Sequence, residues 1–396
     1  MDGVIHVLSP EGQALVNSLP DYDPHTADRL SRELRTAGHS PDLVAAALTQ
    51  QHLRSKARAK FGDSAARMLF TEAGQQQATR AIVADHHARR FRDAGCTTVV
   101  DMTAGIGADA RALAQVGIDV TAFDMDEVTA ACAAYNLAPF PNARVVHGDS
   151  LAADFSLVDG AFADPARRSA RGRTFNPADY SPSLDSVLAV RERVPALGVK
   201  VAPGIAYSDL PGDVHAQWVS VDGSVVEAGL WCGPLAESPG RSALVISGEE
   251  SVSVFATDDP RAPIVPLLPG PLGRYVYEPD GAIIRSGALA AVAEELGAAP
   301  VSDRIAYLTG DTLVHSPLAQ AFEVVDTMPI KKVGPYLRER HVGSAEILKR
   351  GVDIVPDQFR RGLKLKGDAA ATIILTRVRG KHTALVVRRI RENEGG

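Results

Sequence analysis

Cysteine is scarce in this chain. There are three in 396 residues (Cys96, Cys132 and Cys232), far apart and odd in number. That excludes a disulfide scaffold and a cysteine zinc site, and it fits a reducing cytoplasm. Tryptophan is limited to Trp218 and Trp231. Both alternate with apolar neighbours on predicted strands, so both read as core. No apolar run reaches the roughly 18–20 residues of a membrane span. The start, Met-Asp-Gly-Val-Ile-His, lacks the basic residues and apolar stretch of a secretory signal. No internal repeat or low-complexity tract is present. The expectation is a cytoplasmic protein with no membrane and no metal.

What is there is a sizeable apolar content, 45% of the residues, with 23% charged. Such a chain buries more than one core, and its length suggests about two to three domains. The net charge of −6 argues against whole-chain attraction to nucleic acid, but the charge is uneven. Residues 331–390 hold fifteen Lys/Arg against five Asp/Glu, a balance of +10. Residues 51–92 hold nine against three, a balance of +6. Local basic surfaces of this kind steer toward phosphates.

Four regions are predicted. Residues 1–95 read as helical. Ser40-Pro41-Asp42 combines a cap, Pro at the first helical position and an acid in the first turn. The helix continues from Leu43 to Lys60, and a second runs from Ala73 to Arg92. Residues 96–247 alternate apolar runs with helical stretches, as in a parallel sheet with crossover helices. Later strands (216–221, 225–231, 242–246) give this sheet an antiparallel end, with Val221-Asp-Gly-Ser-Val225 as a hairpin turn. Residues 248–320 are rich in Pro and Gly and read as a connector with one helix, 288–296. Residues 321–396 hold a βαβαββ unit, a small sheet with helices on one face.

The most telling stretch is Thr98-Val-Val-Asp-Met-Thr-Ala-Gly-Ile-Gly-Ala-Asp109. An apolar run ends in Asp101, then a Gly turn leads into a helix. A second run (118–123) ends in Asp124. A third (143–146) leads to His147-Gly148-Asp149. A fourth (155–162) ends in Asp164-Pro165-Ala166-Arg167. Ligands of parallel sheets bind beyond the carboxyl ends of the strands, so the four acids face one pocket. A carboxylate at Asp101 would repel a pyrophosphate and suit an ammonium or a sulfonium. Asp124 is placed for both hydroxyls of a ribose, and Asp149 for an adenine amine. A ligand with an amino-acid end, a ribose and an adenine is S-adenosylmethionine.

On these residues, 96–247 resembles a class I S-adenosylmethionine-dependent methyltransferase, an α/β fold with a Rossmann-like sheet. Asp-Met-Thr-Ala-Gly-Ile-Gly (101–107) matches the first motif, Phe-Asp-Met-Asp (123–126) the second and Gly-Asp-Ser (148–150) the third. The resemblance implies that Asp101, Thr103, Ala104, Gly105 and Gly107 hold the methionine end. It puts Asp124 and Met125 at the ribose, and Asp149 and Ser150 at the adenine. A Gly-x-Gly alone would fit a dehydrogenase as well. The C-terminal unit resembles the ferredoxin-like, THUMP-like domain found after bacterial methyltransferase domains. This rests on Lys332-Val-Gly-Pro-Tyr-Leu, Glu346-Ile-Leu-Lys-Arg-Gly351 and Leu363-Lys-Leu-Lys-Gly-Asp368. Tyr277 to Ile283, Phe70-Thr71 and Gln75 to Thr79 are also typical of that group. THUMP domains are RNA-binding modules, so the resemblance implies an RNA substrate.

The fourth motif sets the acceptor. Relatives that methylate exocyclic amines of bases carry Asp, Asn or Ser, then Pro-Pro and an aromatic. The acid and a proline carbonyl accept from the amine, and the ring stacks on a flipped base. Asp164 and Pro165 fit, whereas Ala166 and Arg167 depart. Arg167 could stack on the base or hold a phosphate, and Phe175 or Tyr180 could supply the ring. Asp-Pro-x-Arg also resembles enzymes that methylate carbon 5 of uracil. Those need a cysteine on the next loop, where this chain reads Lys200-Val-Ala-Pro-Gly204. Amine methylation of a base in RNA is therefore expected. The alternatives are a methyltransferase for a small molecule or protein, or a cofactor-binding protein without chemistry. Arg168, Arg171 and Arg173 extend the basic run beside the reaction centre. Lys56, Arg58 and Lys60 read as an exposed helical face, and His86-His87 lacks the partners of a metal site.

Overall fold

A computed structural model of the protein describes residues 3–166, 168–169, 172–173 and 180–391. The chain divides into two compact units, Met1–Val201 with Leu230–Glu237, and Ala202–Gly229 with Ser238–Gly396. Among the described residues no helix is long and apolar enough to cross a membrane.

The first unit opens with helices α1 (Pro10–Ser18), α2 (Ala27–Thr36) and α3 (Pro41–Phe61). The predicted start of α3 is confirmed. The Ser40 hydroxyl accepts from the Leu43 N–H at 3.3 Å, Pro41 is the first helical residue, and Gly62 ends the helix at φ +54°. The single helix expected over 73–92 is instead two, α4 (Glu72–Gln77) and α5 (Ala81–Asp93). Lys60 is the physical reason. Its Nζ donates to the carbonyls of Gln75, Gln76 and Ala78 at 2.9, 2.7 and 2.9 Å. These are carbonyls that a helix end leaves unsatisfied. Lys60 is thus half-buried, contrary to its reading as exposed. Burial, then the charges of Lys200 and Arg80, pulls its pKa down to about 8.

Strands β1 (Thr98–Asp101), β2 (Asp119–Asp124), β3 (Ala143–His147) and β4 (Gly160–Ala163) follow, with α6 (Ala108–Gln115) and α7 (Glu127–Leu137) as crossovers. Short strands β5 (Arg168–Ser169) and β6 (Gly172–Arg173) pair antiparallel. Helix α8 (Leu184–Leu188) runs into a tighter turn, Ala189–Glu192. Strand β7 (Ala196–Val201) joins the parallel part of a nine-stranded sheet, in the order β3-β2-β1-β4-β7. The order reverses between β1 and β4, which is where such sheets bind ligands.

The N-terminal helices pack on this sheet's crossovers. Buried Asn136 of α7 donates to the carbonyls of Leu69 and Ile106, and its Oδ1 accepts from the Leu69 N–H. The core beneath β1 and β4 is aromatic. Trp231 lies stacked on Phe162 with ring centroids 6.4 Å apart, and both are about 2% exposed. A Cβ built on Gly198 would stand 2.7 Å from the Trp231 ring and 3.1 Å from Phe162. Gly198→Ala therefore overpacks this core and is expected to destabilise by about 1–3 kcal/mol. Denaturant unfolding that shows an unchanged midpoint would contradict this.

The second unit opens with β8 (His215–Val221) and most of β9 (Ser224–Cys232), joined by the expected turn, with Asp222 at φ +49° and Gly223 at +77°. Strand β10 (Gly240–Ser247) runs parallel to β8, and β11 (Glu250–Thr257) antiparallel to β10. The segment read as a connector carries more than its one predicted helix. It holds β11, β12 (Tyr275–Pro279), β13 (Ala299–Pro300) and β14 (Leu308–Gly310), with α9 (Gly281–Ser286) and α10 (Leu289–Glu295). Strands β12 to β14 are short, and β11 buries none of its residues, so the apolar pattern is weak.

The βαβαββ order is as expected. It runs β15 (Ala319–Pro329), α11 (Val333–Glu339), β16 (Val342–Lys349), α12 (Pro356–Leu363), β17 (Ala369–Val378) and β18 (Lys381–Arg389). The sheet order is β13-β14-β12-β15-β18-β17-β16. Period-2 alternation separates the faces. Ile373, Leu375, Ala384 and Val386 pack with α11 and α12, while Ile374, Leu385 and Val387 pack with Val301, Ile305 and Tyr307. The fold is the α/β class expected, with a mixed small sheet at the C-terminus.

Candidate active site

The site is built where β1, β2, β4 and β7 end. Asp101 closes β1 and is 1% exposed. Its Oδ1 accepts from the Thr103 N–H at 3.3 Å, whereas its Oδ2 is buried with no hydrogen-bond partner. Burial first, then the charge of Asp109, and more weakly those of Asp164 and Asp124, hold its pKa well above the usual carboxylate range. An orphaned oxygen among acids calls for a cation.

The turn after Asp101 needs glycine. Gly105 has φ +55° and Gly107 +85°, and no atom lies within 4 Å of a Cβ built on Gly105. Ala104 is fixed by its N–H to the Phe123 carbonyl at 2.8 Å. Asp124, closing β2, receives the Gly105 N–H at 3.0 Å on one oxygen and the Asp126 N–H at 2.9 Å on the other. Burial outweighs these bonds, and its pKa is raised. Met125 is 71% exposed at the rim. Asp149 is exposed and accepts the Leu151 N–H, while Ser150 is buried beneath it.

Asp164 follows β4. Its backbone N–H donates to the Thr103 hydroxyl at 2.6 Å, and its carboxylate meets Lys200 Nζ at 2.8 Å. The register explains the pair. Ala163 lies opposite Val199, so the next residues, Asp164 and Lys200, are neighbours across β4 and β7. Lys200 Nζ also donates to the Thr79 hydroxyl at 3.1 Å. Thr79 sits in the extended break between α4 and α5. Next to it, His87 Nδ1 and Asp109 Oδ1 are 2.8 Å apart, both buried. Burial alone would raise Asp109. The hydrogen bond and charge of His87, the Lys200 charge and a bond from Thr79 together hold its pKa below the usual value.

The structure thus brings together Asp101, Thr103, Gly105, Asp124 and Asp164. Asp149, Ser150 and Met125 stand after β3 and β2. Pro165 is buried, and Ala166 is bridged to Ser181 by 3.0 Å bonds in both directions. Tyr180 is buried. Arg167, Arg171 and Phe175 lie outside the described residues. Sequence reasoning missed Lys200, Thr79, His87 and Asp109 as site neighbours. The one signal was Lys200 itself, a lone charge in the apolar run Ala196–Ala202.

Comparisons with known proteins follow this geometry. The chain is 34% identical over 364 residues to an uncharacterised S-adenosylmethionine-dependent methyltransferase of Mycobacterium tuberculosis, in strains CDC 1551 and H37Rv alike. The match covers 87% of this chain and 94% of the relative. A family model described as THUMP domain-like matches residues 319–389, and one described as a domain of unknown function matches residues 1–57. A crystal structure from Porphyromonas gingivalis W83, provisionally classed as a methyltransferase, superposes with TM-score 0.72. It is 21% identical and covers 94% of this chain and all of its own, which supports the fold.

Proposed function

Because the chain belongs to the S-adenosylmethionine-dependent methyltransferases, we propose that it methylates an exocyclic amine of a base in RNA. The observation that carries this is Asp164, an acid at the end of β4, followed by Pro165 and held by Lys200 and Thr103. A carboxylate so fixed accepts a hydrogen bond from an amine and turns its lone pair toward the methyl donor. RNA is supported by the THUMP-like C-terminal domain and by the +10 balance of residues 331–390.

The residues present fit the cofactor. The unpartnered Asp101 Oδ2 suits its cationic amino-acid end, the open turn at Gly105 admits it closely, and Asp124 takes the ribose hydroxyls. Thr103, Ala104 and Gly107 shape the same turn. Asp149, with Ser150 and Met125, lines the adenine side. When bound, S-adenosylmethionine supplies an electrophilic methyl group on a sulfonium. That methyl group would be supplied to the amine nitrogen with the S–CH3 electron pair staying on sulfur as a neutral thioether, and Asp164 would take the amine proton and pass it to solvent. Most of the barrier reduction comes from alignment. Lys200 keeps Asp164 in place, the Pro165 carbonyl takes the second amine hydrogen, and Arg167 meets the base or its phosphate.

The test is transfer of radiolabelled methyl from the cofactor to total RNA from a strain lacking the gene. Label is expected in RNA, and nucleoside digestion names the base. Label in a protein or metabolite fraction, with none in RNA, would sink the RNA reading.

A further inference from the structure

The first unit contains a second candidate site that the reaction does not use. A cleft of about 1170 Å³ opens between α1, α3 and the second half of α7. Arg54 lies at its floor, 4% exposed. Its Nε donates to the Met68 carbonyl at 2.9 Å, its Nη2 to Asn17 Oδ1 at 3.0 Å, and its Nη1 stands 3.5 Å from the Val16 carbonyl. These acceptors are neutral, and no carboxylate pairs with Arg54 among the described residues. The guanidinium also hydrogen-bonds Tyr135, so four of its five N–H groups are taken by uncharged partners. A buried charge without a counter-ion is costly, and burial pulls the Arg54 pKa down.

Two more arginines, Arg58 and Arg67, line the cleft and are exposed. The one acid in the lining, Asp21, pairs with Arg58 at 2.7 Å. Three guanidinium groups against one carboxylate leave the cleft at +2. The rings of Tyr22 and Tyr135 also line it. Guanidinium groups along a groove with aromatic rings form the surface that single-stranded nucleic acid takes, phosphate on cation and base on ring. The cleft exceeds the usual volume of a small-molecule pocket, about 300–1,000 Å³. It shares α7 with the loop that follows Asp124. Its α7 residues, Ala131 to Ala138, lie roughly 8 to 18 Å along the helix from Asp126 at 1.5 Å per residue.

We propose that this cleft binds a short single-stranded segment of the RNA substrate. Its phosphates lie on Arg54, Arg58 and Arg67, and a base stacks on Tyr22 or Tyr135. The proposal rests on the RNA reading above. The test uses the full chain and fluorescein-labelled oligouridine RNA, followed by anisotropy at several salt concentrations. The double variant Arg58→Glu/Arg67→Glu alters exposed side chains only, and its thermal midpoint checks folding. Its affinity is expected to fall about tenfold or more, with the salt slope reduced by about 1.4 for two lost phosphate contacts. Arg67→Glu alone, which breaks no ion pair among the described residues, should lower affinity by a smaller factor. Double-variant binding equal to wild type would overturn the cleft, and labelled RNA in the transfer assay would leave the RNA reading standing. Loss of binding confined to Arg360→Glu/Arg361→Glu would place the RNA elsewhere and equally overturn the cleft.

Discussion

Asp164→Ala is expected to abolish methyl transfer while leaving cofactor affinity intact. Asp164 follows β4 and is held twice, by Thr103 through its backbone and by Lys200 through its carboxylate. Only the backbone N–H of Asp164 reaches the cofactor turn, at Thr103, and alanine keeps that N–H. Removing the side chain leaves that turn unchanged and deletes the group that orients the amine. Loss of an orienting or proton-accepting group lowers rates by about 10²- to 10⁴-fold. The effect should fall on kcat, measured by single-turnover transfer at saturating cofactor, with calorimetric cofactor affinity as the control. Lys200→Met should lower the rate too, because Asp164 then loses its 2.8 Å partner. Wild-type turnover by Asp164→Ala would remove Asp164 from the mechanism, and equal loss of cofactor affinity would make it a binding residue.

The second large effect is at Asp101. Its raised pKa means that the folded state holds a proton that the unfolded chain releases near pH 4. The contribution of Asp101 to the stability of the cofactor-free protein is therefore fullest below that pH. It declines as pH rises toward the folded pKa, because ionising a buried carboxyl among Asp109, Asp164 and Asp124 is unfavourable. Asp101→Asn removes this liability. The variant should be more stable than wild type at pH 7–8, by about 1–3 kcal/mol. It should also bind the cofactor about 10- to 100-fold more weakly, since a charge-assisted bond contributes about 1.5–3 kcal/mol. Denaturant unfolding across pH and calorimetry report the two sides. A variant that is less stable yet binds normally would show that Asp101 is structural.

Much of the fold was legible. Helix α3 announced itself through Ser40-Pro41, whereas the Asp126 cap of α7, whose carboxylate accepts from Thr129, came from the structure. Cap and proline chemistry acts within one turn, so local sequence suffices. Strands β1, β2 and β3 were readable as short apolar runs ending in an acid or in His-Gly-Asp. The hairpin turns at Asp222-Gly223 and Arg379-Gly380 need positive φ at both residues, and glycine marks them.

The rest depended on partners far along the chain. The α4–α5 break exists because Lys60 takes three carbonyls 15 to 18 residues away, which no helical propensity records. Strand β11 buries no side chain, and β12 to β14, though Val276, Tyr277 and Leu308 are buried, span only two to five residues, so backbone pairing defines them.

The acids of the proposed cofactor site were determined by sequence alone, since each ends its own strand and a parallel sheet gathers strand ends in one place. The state of those acids was not. That Asp101 is left without a partner for one oxygen, that Lys200 stands against Asp164, and that Thr79 and His87 close the network behind them were decided by strand register and by a broken helix. Burial and charge coupling act across space, over separations of 36 and 121 residues here. A linear pattern with a period of two or 3.6 residues carries no trace of them.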